Sequence, residues 1–210
     1  MDTPPHRKRV KTYNIPNHAH FLTFSCYRRM PLLTNDLWRT WLAEAIREAC
    51  HRHTTALWAY VFMPEHVHLL VKPRRELYDV SQFRKSLKQA LAKRVVNSLK
   101  KDRAPLLEKL RVQERPGKWC YRFWQEGPGH DKNIWTIDKA VEKARYCHRN
   151  PVTRGLVKDP AQWRWSSFRW IEMNDRRNAP LDIDPWDERL VEDTPPALAA
   201  NSRSQWHHSR

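Results

Sequence analysis

The chain has 210 residues, with 39 Lys and Arg against 23 Asp and Glu and a formal net charge of +16, which suits one domain with tails and favours a polyanionic partner. No apolar stretch reaches bilayer-spanning length and no apolar segment follows the charges of MDTPPHRKRV, so a soluble cytoplasmic protein with no membrane partner is expected. The four cysteines form no C-x-x-C pair and the four glycines, Gly117, Gly127, Gly129 and Gly155, cannot build a phosphate-cradling loop, which sets aside a zinc knuckle, a disulfide framework and a nucleotide cofactor.

Residues 1–12 are polar, basic and proline-bearing, and read as an arm. HAHFLTFSCYRR alternates apolar and polar positions, the period of a strand. In PLLTNDLWRTWLAEAIREACHRH, Leu37, Trp38, Trp41, Leu42, Ala45, Ile46 and Ala49 recur at helical spacing behind Thr34 or Asn35 as N-cap. Two β-rich runs, 55–63 and 66–72, flank Met63-Pro64-Glu65 and predict a hairpin. VSQFRKSLKQALAKRVVNSLKK is a second helix with apolar Val80, Phe83, Leu87, Leu91, Val95 and Leu99, and a basic face. Residues 102–118 read as a charged loop with a helical turn at APLLEKL, followed by an aromatic strand signal in WCYRFWQEGPGHDKNIW. TIDKAVEKARYCHRNPVTRG is a third helix, stopped at Asn150-Pro151, with Ile137, Val141, Ala144 and His148 as its apolar face. DPAQWRWSSFRW is expected to pack back on the core, and the chain from about Asp175 to be loosely held.

The order strand-helix-strand-strand-helix-strand is that of an α+β, ferredoxin-like antiparallel sheet with two helices on one face, here with an extra C-terminal helix and a partly disordered tail. The expected division is 1–12 arm, 13–172 catalytic domain and 173–210 extension. The fold hosts many functions, so the site must decide.

The stretch AYVFMPEHVHLLVKP carries that decision. Positions i and i+2 of a strand share a face, so His66 and His68 offer two imidazoles side by side, with Val67 turned away. Two neutral imidazoles on a rigid strand can hold a divalent metal if a further protein ligand joins them. The chain also contains His18 and His20, and His51 and His53, so H-x-H alone is weak; apolar flanks strengthen the pair at 66 and 68, because burying two rings without purpose is unfavourable. The third helix places Tyr146 and Asn150 one turn apart, roughly opposite its apolar stripe. A phenol beside a metal is a candidate nucleophile, and the Asn150 carbonyl a candidate third ligand.

These residues resemble a known family. MPEHVHLLV, then ARYCHRNPVTRGLV, then WRWSSFRW, are together similar to the single-tyrosine HUH transposases, specifically the REP-associated tyrosine transposases, over roughly residues 13–170. The resemblance implies a ferredoxin-like domain acting on single-stranded DNA beside a repetitive extragenic palindrome hairpin. By position, it implies His66 and His68 as the metal pair, Tyr146 as nucleophile, and Asn150 as helix-borne ligand where related enzymes often carry Gln. It implies magnesium or manganese, and a monomer or a homodimer. The candidate DNA contacts are Arg7, Lys8, Arg9 and Lys11 in the arm, with His6 beside them, and Arg84, Lys85 and Lys88 on the second helix, with Lys93 and Arg94 further along. Trp119, Tyr121 and Trp124 are candidate base-stacking platforms. Two other readings remain open: a non-catalytic hairpin-binding module, and a metal-dependent hydrolase using His66 and His68 with Glu65 or water as base.

Overall fold

The computed structural model describes residues 12–186. Strand β1 is Ala19–Ser25. Helix α1, Asp36–Arg52, starts where the Asn35 side chain accepts the Trp38 N–H at 3.2 Å, satisfying a donor that the first turn leaves unpaired. Strands β2, Thr55–Phe62, and β3, His66–Pro73, form the expected hairpin. Helix α2, Val80–Lys101, is capped by the Asp79 carboxylate on Ser81 and Gln82. A short helix α3, Leu106–Leu110, leads into strands β4, Arg111–Arg115, and β5, Lys118–Tyr121. Strand β6, His130–Ile134, precedes helix α4, Ile137–Thr153, and α5 is Phe168–Met173.

The main sheet is antiparallel in the order β2-β3-β1-β6, the ferredoxin-like order with β6 as fourth strand. Its two faces carry two cores. Leu22, Phe24, Val67, Leu69 and Val71 pack with α1 and α2 residues such as Leu42, Ile46, Phe83 and Leu87. Phe21, Leu70 and Ile134 face the other way, with Ala140, Ala144 and Cys147 of α4. The site therefore belongs to the α4 face, away from α1 and α2.

In β2 the register shifts between Leu57 and Ala59. The bulge reverses side-chain parity, so Leu57, Tyr60 and Phe62 reach one core while Trp58, Ala59 and Val61 reach the other. All eight β2 residues are buried, because a core covers each face of the strand.

Four expectations are corrected by the fold. Helix α4 runs through Pro151 to Thr153 instead of stopping at Asn150-Pro151. Part of the expected loop 102–118 is strand: β4 pairs with β5 as a separate two-stranded ribbon, and the fourth sheet strand is β6 instead of the aromatic run. The stripe on α4 runs through Ala140, Ala144, Cys147 and Pro151, with Val141 only half-buried, so Asn150 flanks the stripe and is itself buried. Residues 175–186 are packed: Leu181 and Ile183 enter the core, and Trp186 stacks on Trp58 at 5.6 Å. The WRWSSFRW segment does pack back, running along the outer edge of β2, where Phe62 N–H donates to the Trp165 carbonyl at 2.8 Å and Ser167 N–H to that of Tyr60 at 3.0 Å.

Candidate active site

Antiparallel pairing sets Thr23 opposite His68 and Ser25 opposite His66, so all four side chains project on the α4 face. Both rings are held by their inner nitrogens. Thr23 Oγ1 lies 2.7 Å from His68 Nδ1, and His66 Nδ1 donates to Glu65 Oε1 at 3.1 Å. Arg154 donates to the same carboxylate oxygen at 2.9 Å. The outer nitrogens converge: His66 Nε2 and His68 Nε2 are 3.0 Å apart, and the Asn150 amide is 3.1 Å from His68 Nε2.

Burial keeps the imidazoles neutral. It pushes His68 down to about 3, aided by neighbouring His66 and His130. It also lowers His66, against the opposing pull of the Glu65 carboxylate. With His66 Nδ1–H given to Glu65, its Nε2 carries a lone pair aimed at its neighbour, an arrangement that a shared proton or a cation relieves. A separation of 3.0 Å is that of adjacent ligands on an octahedral ion with bonds of about 2.1 Å. Among the described residues no third His, Cys, Asp or Glu completes a metal-ligating group, so the remaining protein donor is Asn150, whose carbonyl oxygen reaches the same spot if the amide turns over. The donor set fits magnesium or manganese, with the nitrogens favouring manganese.

Tyr146 stands one turn before Asn150. Its ring packs edge-on against His68 at 5.3 Å and Phe21 at 5.9 Å, while half of its surface faces solvent. Lys143, one turn earlier again, lies 6.0 Å from the Tyr146 ring. Thr23, Ser25, His66, His68, Tyr146 and Asn150 line an open cavity of about 490 Å³, whose rim carries Arg29, Arg149 and Arg154.

The family profile described as "Transposase IS200 like" matches residues 14–127, more than half of the 210 residues. The chain belongs to the IS200-like transposase family. The fold of this transposase is also similar to the structure of the REP-associated tyrosine transposase bound to a REP hairpin, with a TM-score of 0.62 at 20% identity, covering 86% of this chain and 93% of that one. A candidate transposase from Deinococcus radiodurans R1 is matched at a TM-score of 0.41 and 20% identity, over 68% of this chain and 96% of that one. No curated protein sequence matches. The family match ends before α4, so Tyr146 and Asn150 rest on their placement in the structure.

Within the transposase, the fold brings His66, His68, Tyr146 and Asn150 into one cavity and leaves the expected DNA-contacting residues of α2 elsewhere. Arg7, Lys8, Arg9 and Lys11 lie outside the described residues. Arg84 is expected from the sequence on an exposed basic face of α2; instead it is buried, 3.7 Å from Asp131, because its position falls beside Phe83 on the core side. Lys88 is half-buried and donates to the Gln125 and Gly127 carbonyls at 3.4 and 3.2 Å, and burial lowers it to about 8. Lys85 is exposed, but α2 covers the sheet face opposite the cavity. Trp124 is core and Tyr121 half-buried; Trp119 is exposed on the ribbon under Arg111, whose guanidinium is 4.5 Å from its ring.

The other H-x-H pairs differ for clear reasons. His20 is buried with both nitrogens engaged, by Asp131 and Tyr78 at 2.8 Å each. His51 and His53 fall at the end of α1, where i and i+2 diverge. Sequence reasoning missed Thr23, Arg29, Arg149 and Arg154. Arg149 and Arg154 had a signal, since they stand three residues after Tyr146 and four after Asn150. Thr23 and Arg29 had none without the strand register.

Proposed function

We propose that this transposase cleaves and rejoins single-stranded DNA beside hairpins of the repetitive extragenic palindrome type, with Tyr146 as nucleophile. The observation that carries the reading is the packing of the Tyr146 ring on His68, 5.3 Å away, while His68 Nε2 converges with His66 Nε2 and Asn150. The hairpin held by the structurally similar REP-associated transposase supports the choice of substrate.

The Tyr146 oxygen forms a bond to phosphorus as the bond from phosphorus to the 3′-oxygen breaks. The phenol proton passes to solvent and the departing 3′-oxygen takes up a proton, leaving a 5′-phosphotyrosine diester and a free 3′-OH. A 3′-OH from the same or another strand reverses the step, so rejoining needs no nucleotide cofactor. A magnesium or manganese ion held by His66, His68 and Asn150 would supply Lewis-acid neutralisation of the phosphate charge. Thr23 and Glu65 fix the two imidazoles, Phe21 and His68 fix the tyrosine ring, and the arginines at the rim attract the DNA backbone.

Glu65 already receives His66 and Arg154, which argues against its use as the general base of a hydrolase. The deciding experiment incubates single-stranded hairpin DNA with manganese and wild type or Tyr146→Phe. Wild type is expected to nick and to leave an SDS-stable protein–DNA adduct; an adduct that persists in the variant removes Tyr146 from the mechanism.

A further inference from the structure

Between β1 and α1 the chain makes a tight turn, Tyr27–Arg29, in which Arg28 and Arg29 both have φ of 52°. Two consecutive side-chain-bearing residues in the left-handed region are disfavoured, because each Cβ crowds the backbone; glycine would adopt the same turn freely. The surroundings impose the conformation. Cys26 N–H donates to the Glu65 carbonyl and Tyr27 N–H to that of Phe123, both at 2.8 Å, and Arg28 N–H donates to the Gln125 side chain at 3.1 Å. The turn is thus tied to the segment preceding His66 and to the approach to β6.

Among the described residues the Arg29 guanidinium finds no polar partner in return. It lines the same cavity as His66, His68 and Tyr146, yet among the described residues its guanidinium has no ion pair or hydrogen bond, and neither has that of Arg149. Among the described residues no carboxylate lines the cavity, and Glu65, beside His66, is already shared by Arg154 and His66. Three guanidiniums therefore line the cavity, only that of Arg154 paired with a carboxylate, an excess of positive charge that suits an anion. A guanidinium fork matches the oxygens of a phosphate better than any other side chain. Strain kept at a position whose guanidinium has no polar partner among the described residues points outward, to a bound group.

We propose that Arg29 contacts the substrate directly, its guanidinium gripping a non-bridging oxygen of the DNA phosphodiester that enters the cavity; this rests on the DNA-cleavage reading above and adds a residue to it. The test compares full-length wild type with Arg29→Gly and Arg29→Lys. Arg29→Gly relieves the turn and is expected to unfold at a higher temperature than wild type. Its binding to a single-stranded hairpin oligonucleotide is expected to lose about 0.7 from the slope of log affinity against log salt, the signature of one lost phosphate contact. Its single-turnover cleavage at saturating DNA is expected to fall about 100-fold, as for loss of one donor to a transition-state oxygen. Arg29→Lys should recover the salt slope but not the full rate. A wild-type slope for Arg29→Gly overturns the inference whatever its rate. If wild type fails to cleave while Arg29→Gly still loses slope, the cleavage reading falls and the phosphate grip stands. If cleavage depends on Tyr146 and the slope is unchanged, the cleavage reading stands and the phosphate grip falls.

Discussion

Thr23 Oγ1 and His68 Nδ1 lie 2.7 Å apart across the β1–β3 ladder, so the orientation of this ring is set by the neighbouring strand. Thr23→Val keeps the shape and removes the partner. Loss of such an outer hydrogen bond is expected to weaken manganese binding about 10- to 100-fold and to destabilise the fold by about 1–3 kcal/mol through the unpaired buried nitrogen. Calorimetric titration with manganese and urea denaturation measure the two effects separately. Unchanged metal affinity would show that His68 needs no support from β1.

Acid should destabilise the protein well before its carboxylates titrate. Burial pushes His68 down to about 3 and His148 to about 4, where an ordinary histidine titrates near 6.5. The folded pKa values are depressed, so the unfolded chain takes up protons that the folded one refuses. The contribution is complete above pH 6.5 and is lost as pH falls toward 4 and then 3. Each such histidine contributes a slope of at most about 1.4 kcal/mol per pH unit within that window. Urea denaturation at pH 7, 6 and 5 is expected to show falling stability; a flat profile would contradict the neutral, buried state of both rings.

Arg84 and Lys85 are neighbours in sequence with opposite expected phenotypes. Arg84 is buried beside Asp131, so Arg84→Ala leaves that buried carboxylate with His20 as its remaining partner and is expected to lose about 2 kcal/mol of stability. Lys85→Ala, at an exposed position, should change stability by less than about 0.5 kcal/mol. Thermal unfolding of both variants in the same buffer makes the comparison, and equal midpoints would sink it.

Gly129 is required by space as well as by backbone angle. It has φ of 76°, and an added Cβ would lie 2.2 Å from the Thr23 carbonyl oxygen. Gly127 and Gly117 also have positive φ, but a Cβ there meets nothing within 4 Å. Gly129→Ala is therefore expected to unfold at a markedly lower temperature than Gly127→Ala, whose cost is the backbone strain of about 1 kcal/mol alone. Similar losses for the two would mean that β6 can shift away from β1 without penalty.

The parts of the fold that follow one period could be read from the chain. Alternation around Phe21 to Ser25 marks β1, and apolar positions from Phe83 to Leu99 mark the buried stripe of α2. The period fails where backbone irregularity intervenes: the β2 bulge makes Leu57 and Tyr60 share a face, which no alternation rule predicts. The ribbon β4–β5 was obscured because its strand from Arg111 to Arg115 has only Val112 as an apolar residue, so it lacks the signal that burial would impose. His66 and His68 were legible because their geometry is local. Thr23 and Arg29 were not, since their roles depend on register and on a turn held by residues distant in sequence. Glu65 was legible as a candidate base, but its two partners, one of them Arg154, recast it as the holder of His66.

The segment lying along β2 has a consequence for self-association. An uncovered outer strand offers a row of unpaired peptide groups onto which another chain can add. Here Trp165 and Ser167 occupy backbone groups of Phe62 and Tyr60, and Asp184 N–H donates to the Leu57 carbonyl at 2.9 Å, so the chain stoppers that side of its own sheet. Among the described residues no strand pairs with the opposite margin at β6, which is only five residues long. A variant cut before Trp163 would unmask the longer margin, and strand-swapped dimers or aggregates are its expected fate.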